Sequence, residues 1–164
     1  MKAFLTFLVF GFCYYTAGAQ QLVGGEWSLG GRFGGASGIS LKHHARSNAS
    51  ALELITAVKS FDSNEEIDGL TFSLLYHKLT PLTGNRKLNA LIGGGFNANF
   101  KNDFNLGISA ALGFDLRLKS VPLTMQLDWM PTWFFVNASY FSGVNIAYTA
   151  RYVLNHRKYK VIRR

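Results

Sequence analysis

Four histidines, at positions 43, 44, 77 and 156, are the side chains of this sequence suited to proton transfer near neutral pH. A serine hydrolase would need one of them to meet a serine and a carboxylate at a single point. His44 with Ser40 and Glu53 comes nearest, because all three point to the same side of neighbouring extended segments. The spacing is generic, however, and an interfacial or lumen-packed histidine accounts for it better. His43 and His44 form no metal pair, since adjacent residues of a strand point to opposite faces. A zinc site would need further ligands that the sequence does not supply. Gly93-Gly94-Gly95 lies within an extended run and lacks the Lys-Ser/Thr and helix of a phosphate loop, so close packing or wall curvature explains it better. The chain is therefore expected to be no enzyme, with no catalytic, cofactor-binding or metal-binding residues.

The elements that would carry such residues are clearer than the chemistry. Residues 105–118 alternate strictly. Leu106, Ile108, Ala110, Leu112, Phe114, Leu116 and Leu118 fall on one side, and Asn105, Gly107, Ser109, Ala111, Gly113, Asp115 and Arg117 on the other. A helix would scatter the seven apolar residues around its circumference, whereas a strand lines them along one face. The run exceeds the five or six residues usual in globular strands, and a strand needs about 9–11 to cross a bilayer.

The N-terminus narrows the setting. Met1-Lys2, an apolar stretch over 3–15 and Ala17-Gly18-Ala19 have the order of a secretory signal peptide cleaved before Gln20. Cys13 leaves with that signal, and Phe12 before it argues against lipid attachment. The expected organisation is a signal peptide at 1–19, a barrel at 20–154 and a basic tail at 155–164. Only 16% of residues are charged, and the formal net charge of +8 is concentrated at the end, where Arg157, Lys158, Lys160, Arg163 and Arg164 crowd together. The body is nearly neutral, which excludes a nucleic-acid-binding surface. The tail reads as a solvated extension, or as one drawn to anionic headgroups or peptidoglycan acids.

Eight strands are expected, at 27–34, 38–45, 51–60, 70–79, 88–98, 105–118, 123–130 and 143–153, with 131–140 the longest connection. Their number and short connections predict an all-β fold, an eight-stranded antiparallel up-and-down transmembrane barrel without free edges. One face is apolar throughout, interrupted only by His43 and Lys78 near strand ends. The other is small and polar, with Arg32, Lys42, Glu53, Asp115, Arg117, Asp128 and Arg151 interspersed and Ile55, Leu75 and Leu91 also inward. This is the pattern of a lipid-facing wall around a lumen filled by ion pairs. The turn at 46–48 places Lys42 and Glu53 opposite each other as expected partners. Trp133, Phe134, Phe135, Tyr140 and Phe141 suit an interfacial aromatic girdle, or else a recognition loop.

The segments 30–42, 74–78, 92–95, 121–131 and 147–152 together resemble the small outer-membrane β-barrel proteins of Bacteroidota-type, Gram-negative bacteria. The resemblance implies insertion by the barrel-assembly machinery and an outer-membrane location among lipids and lipopolysaccharide, with envelope proteins as further partners. Both barrel ends are then periplasmic. It implies no particular activity. In such a host the glycosylation triplets at Asn48 and Asn137 are incidental. The functional expectation is a structural or accessory envelope barrel, not a general porin. The alternatives are an outer-membrane lipid- or lipopolysaccharide-modifying enzyme and a soluble periplasmic lipocalin-like carrier.

Overall fold

The computed structural model describes residues 25–45, 49–59, 68–83, 88–100, 104–118, 121–137 and 139–154. The expected signal peptide at 1–19, the expected basic tail at 155–164 and His156 lie outside them. Ten strands form one antiparallel sheet: β1 (Glu26–Gly34), β2 (Ser37–His44), β3 (Ser50–Lys59), β4 (Asp68–Pro81), β5 (Leu88–Phe100), β6 (Phe104–Leu118), β7 (Leu123–Trp129), β8 (Thr132–Phe134), β9 (Tyr140–Ser142) and β10 (Ile146–Val153). The sheet runs β5-β4-β3-β2-β1-β10-β7-β6, and pairing of β5 with β6 closes it. β7 and β8 follow each other along β6 and make one wall element, as β9 and β10 make another. The fold is a closed eight-stranded barrel. Ser28 lies opposite Val153, so the two ends of the barrel chain share one rim.

The strands follow from the alternation. Along β6 the outward residues Ile108, Leu112 and Phe114 are exposed, while the inward Gly107, Ser109, Ala111, Asp115 and Arg117 are buried. β4 and β6 run longer than the sequence pattern alone marks, to 14 and 15 residues. Extension costs little here, because Asp68, Thr80, Pro81 and Phe104 each find a ladder partner on a neighbouring strand.

The segment 131–140 departs from expectation. It is mostly wall, with β8 paired to β6 from Gly107↔Phe134 to Ser109↔Thr132 and β9 paired to β8. Pro131 had marked a strand end in the sequence. It instead continues the wall, accepting from the Ala110 N–H at 3.0 Å and returning no donor. The irregularity is taken up at Gly143–Asn145, where the pairing shifts by one residue between Thr132↔Ser142 and Trp129↔Ile146. The Trp129 indole N–H donates to the Gly143 carbonyl at 2.5 Å across this bulge. At the hairpin tip Asn137 adopts φ 62°, and its amide donates to the Phe104 carbonyl at 2.6 Å. The five aromatics therefore divide. Trp133, Phe135 and Phe141 face outward, whereas Phe134 is buried in the lumen and stacks on Tyr140 at 4.7 Å.

Gly93 illustrates how the narrow interior selects residues. A Cβ at this position would collide with the His77 ring and the Tyr76 carbonyl. The glycine triplet thus makes room for a neighbouring inward side chain. Replacing Gly93 by Ala is expected to destabilise the barrel by about 1–3 kcal/mol, read as a lower urea midpoint for loss of the folded band on unboiled gels.

Candidate functional site

Alternation on β1, β2, β3, β6, β7 and β10 sends one charged or amide side chain after another into the lumen. Among the described residues four cations are buried there, Arg32, Lys42, Arg117 and Arg151, with four carboxylates, Glu26, Glu53, Asp115 and Asp128. Every cation meets a carboxylate. Arg32 grips Asp128 with both terminal nitrogens, at 2.8 and 2.6 Å, and its third contact is the Thr149 hydroxyl at 3.4 Å. Lys42 donates to Asp115 at 2.7 Å. Arg151 pairs with Glu53, and Arg117 with Glu26 near the terminal rim.

Gln126 joins three of these pairs. Its carbonyl oxygen accepts from Lys42 at 2.7 Å and from Arg151 at 3.1 Å. Its amide nitrogen donates to Asp128 at 2.7 Å and to Glu53 at 3.3 Å. One neutral amide therefore presents its negative end to the cations and its positive end to the acids. Ser40 closes the circuit, accepting from Arg151 Nε at 2.7 Å and donating to Glu53 at 2.8 Å.

The register places Lys42 opposite Glu53 as the turn length predicts, yet the two do not pair. Both side chains reach across the lumen instead. The planar fork of Arg151 suits the Glu53 carboxylate, leaving the point charge of Lys42 to Asp115 and Gln126. Gln126 and Glu26 escaped sequence reasoning. For Gln126 the signal was present, since outward Leu127 and Trp129 leave Thr124, Gln126 and Asp128 inward. Glu26 sits one residue before the apparent strand start.

The histidines do not assemble a catalytic set. Ser40 and Glu53 do meet, but His44 is hydrogen-bonded to neither and lies buried beside the rim, opposite Glu26. His77 comes closer, with Nδ1 3.4 Å from Glu53 Oε2. The resulting order is hydroxyl, carboxylate, imidazole. A triad needs the imidazole between the other two, whereas the Ser40 hydroxyl donates directly to the Glu53 carboxylate. His43 faces outward and packs on the Trp27 ring at 4.5 Å. Among the described residues no three His, Cys, Asp or Glu side chains are grouped to hold a metal ion.

No protein-family model matches the chain, and neither the curated proteins nor the solved structures searched contain a similar protein. The chemistry must therefore be argued from the lumen itself.

Two apolar clusters flank the charged network. Ala51, Leu79, Leu91 and Ala111 form one, and Ile55, Ala57, Leu75 and Met130 the other. Along β3 the inward order is Ala51, Glu53, Ile55, Ala57, so the carboxylate sits between apolar neighbours. Ile55, Leu75 and Leu91 are inward, as the alternation predicts. Toward the far rim the polarity returns in neutral form. Asn97 donates to Ser73 at 3.0 Å, Asn99 donates to Thr71 at 2.8 Å, and Ser109 bonds Thr132 at 2.7 Å. The arrangement cross-links the wall and fills the interior.

Removing one member of such a buried pair strands its partner. Arg32→Met is expected to cost about 3–5 kcal/mol of folding stability by leaving Asp128 without its main counter-charge. The double variant Arg32→Met/Asp128→Leu should recover most of that loss, and urea titration of the four-member cycle measures the coupling.

Proposed function

We propose that this chain is a small integral outer-membrane β-barrel protein with a structural or accessory role in the envelope and a lumen closed by its own side chains. The observation that carries the reading is an inversion of polarity. Among the described residues thirty large hydrophobic side chains are exposed, while eleven hydrophobic residues make up the buried core. The exposed ones form a continuous outer wall, from Trp27, Tyr76 and Tyr152 near the terminal rim to Phe33, Phe72, Phe100 and Trp133 toward the other. Water would make such a wall costly, at roughly 25 cal/mol per Å² of apolar surface, whereas lipid chains solvate it. Lys78, the exposed charge on this wall, stands near the end of β4, where its ammonium can reach the interface.

The signal-like N-terminus and the resemblance to Bacteroidota-type barrels support the same location. Biogenesis then runs through the barrel-assembly machinery, and the mature wall is surrounded by outer-membrane lipid and lipopolysaccharide, with both barrel ends periplasmic. A lipocalin-like carrier needs its apolar face inward around a ligand, so the outward wall counts against that alternative. A general porin needs a wide aqueous channel, and an eight-stranded lumen is just wide enough for side chains to fill.

In a Gram-negative host the full-length chain is expected in the outer-membrane fraction, to require detergent for extraction and to change gel mobility on boiling. Recovery in the soluble periplasmic fraction would overturn the location. Purified folded protein in planar bilayers should leave conductance at background, and large steps would overturn the filled lumen. Lipid A and phospholipid profiles should be the same with and without overproduction. A new lipid species lost with His44→Ala would favour the enzyme alternative instead.

A further inference from the structure

His77 is fully buried, yet neither of its ring nitrogens has a hydrogen-bond partner. The barrel still makes room for this ring, since Gly93, its ladder partner on β5, can carry no Cβ without striking it. An apolar side chain of similar size would fill the space without stranding two polar atoms. Glu53 Oε2 lies 3.4 Å from His77 Nδ1, and it is the less engaged oxygen of its carboxylate. Oε1 accepts from Arg151 and from Ser40. Among the described residues Oε2 accepts only from Gln126 Nε2 at 3.3 Å, and that nitrogen holds Asp128 more closely, at 2.7 Å. A ring able to donate and a carboxylate oxygen short of donors thus stand side by side.

The surrounding charges decide what a proton on this ring does. Across the lumen His77 faces Lys42 of β2, Asp128 of β7 and Arg151 of β10, besides Glu53 of β3. Arg32 of β1 is joined to the group through Asp128. His44 of β2 lies in the same row, on the other side of Ala51. β5 and β6 present Gly93 and Ala111 at this height, and Lys78, the next residue of β4, is exposed on the outer wall. With His77 neutral, the described lumen holds four cations and four carboxylates. A proton adds a fifth cation and makes both ring nitrogens donors. Nδ1 then has Glu53 Oε2 within reach. The second N–H meets a spent environment, because Asp128 is already gripped by Arg32 and Gln126, while Ala51 and Leu79 belong to an apolar cluster. Leaving that N–H dry is costly, so water follows the proton.

We propose that His77 is a proton-operated seal of the lumen: uncharged, it leaves the ionic layer closed, and protonated, it competes with Arg151 and Gln126 for Glu53 and admits water and small ions. The inference rests on the membrane-embedded, filled-lumen reading above. Glu53 is the carboxylate at which Arg151, Ser40 and Gln126 converge. Drawing it toward β4 loosens the tie from β3 to β7 and β10 at the centre of the network.

The test uses the full-length folded protein in planar bilayers of neutral phospholipid, with potassium chloride as the permeant salt and equal pH on both sides. Conductance is expected to rise reversibly, several-fold above background, as the pH falls from about 7.5, above the ordinary imidazole value, to about 4. His77→Phe keeps a ring that cannot take a proton and should stay at background throughout. His77→Gln, a neutral amide, should do the same and serves if the aromatic variant does not fold. His44→Gln, at the other buried histidine, should keep the acid response. Gel mobility that still changes on boiling identifies each variant as folded. Wild-type conductance that stays at background in acid would overturn the proposal. So would an acid response that survives in a folded His77 variant or disappears with His44→Gln. These outcomes leave the membrane reading intact. Failure of the folded protein to insert would overturn that reading, and large steps already at the higher pH would overturn the filled lumen; this inference falls with either.

Discussion

With the apolar side chains turned outward, the polar ones are confined to a lumen eight strands wide, and every charge there must be compensated by another side chain. That constraint organises the interior. Among the described residues four cations and four carboxylates fill it in matched pairs. An unpaired charge in such surroundings would be expensive enough to unfold a marginal domain. The pairs also lie far apart in sequence. Arg32 meets Asp128, Lys42 meets Asp115, and Arg151 meets Glu53. They tie β1, β2 and β3 to β6, β7 and β10 across the lumen, in addition to the backbone ladder that joins neighbours. A slip of one residue in any of these strands would turn its charges onto the apolar wall. The ionic network and the register therefore specify each other.

Gln126 shows why the network is more than a set of pairs. Four charged groups meet at one amide whose two ends carry opposite partial charges, and each end faces the matching pair of ions. A carboxylate in its place would add a fifth negative charge, and an apolar residue would leave Lys42 and Arg151 each one acceptor short. The small inward residues serve the same crowding. A Cβ at Gly113 would collide with the Leu127 carbonyl and with Cα and Cβ of Asp128, the residue that Arg32 grips. One at Gly93 would strike the His77 ring.

The architecture was legible because period-two alternation is a local property, and it persists through almost every strand. The same rule marks Lys42 and Glu53 as inward neighbours, and the ladder places them so. It could not name their partners. Long side chains reach across a lumen to strands remote in sequence, and which fork meets which carboxylate depends on heights fixed only when the sheet closes. The misread segment was 131–140, where Pro131 and a cluster of aromatics imitate a loop. The proline sits within the wall at the cost of one donor, and its strand continues because β6 extends far enough to pair with Thr132–Phe134. The histidine set failed for a related reason. Facing inward puts His44, Ser40 and Glu53 in one compartment, but a triad needs an order of contacts, and the imidazole beside Glu53 is that of His77, with the carboxylate between it and the Ser40 hydroxyl.

The lumen is largely self-paired, and among its described polar atoms Arg32 Nε, both His77 ring nitrogens and Thr124 Oγ1 are left without a hydrogen-bond partner. A binding site needs polar groups whose hydrogen-bonding capacity is unspent, or an apolar space not already occupied. In the charged layer the carboxylates, guanidinium groups and hydroxyl engage one another, and apolar side chains pack on either side. The outer wall carries no such obligation and presents apolar area to its surroundings. Because the described lumen charges meet one another in pairs, that wall is the surface whose residues can change without stranding a buried ion.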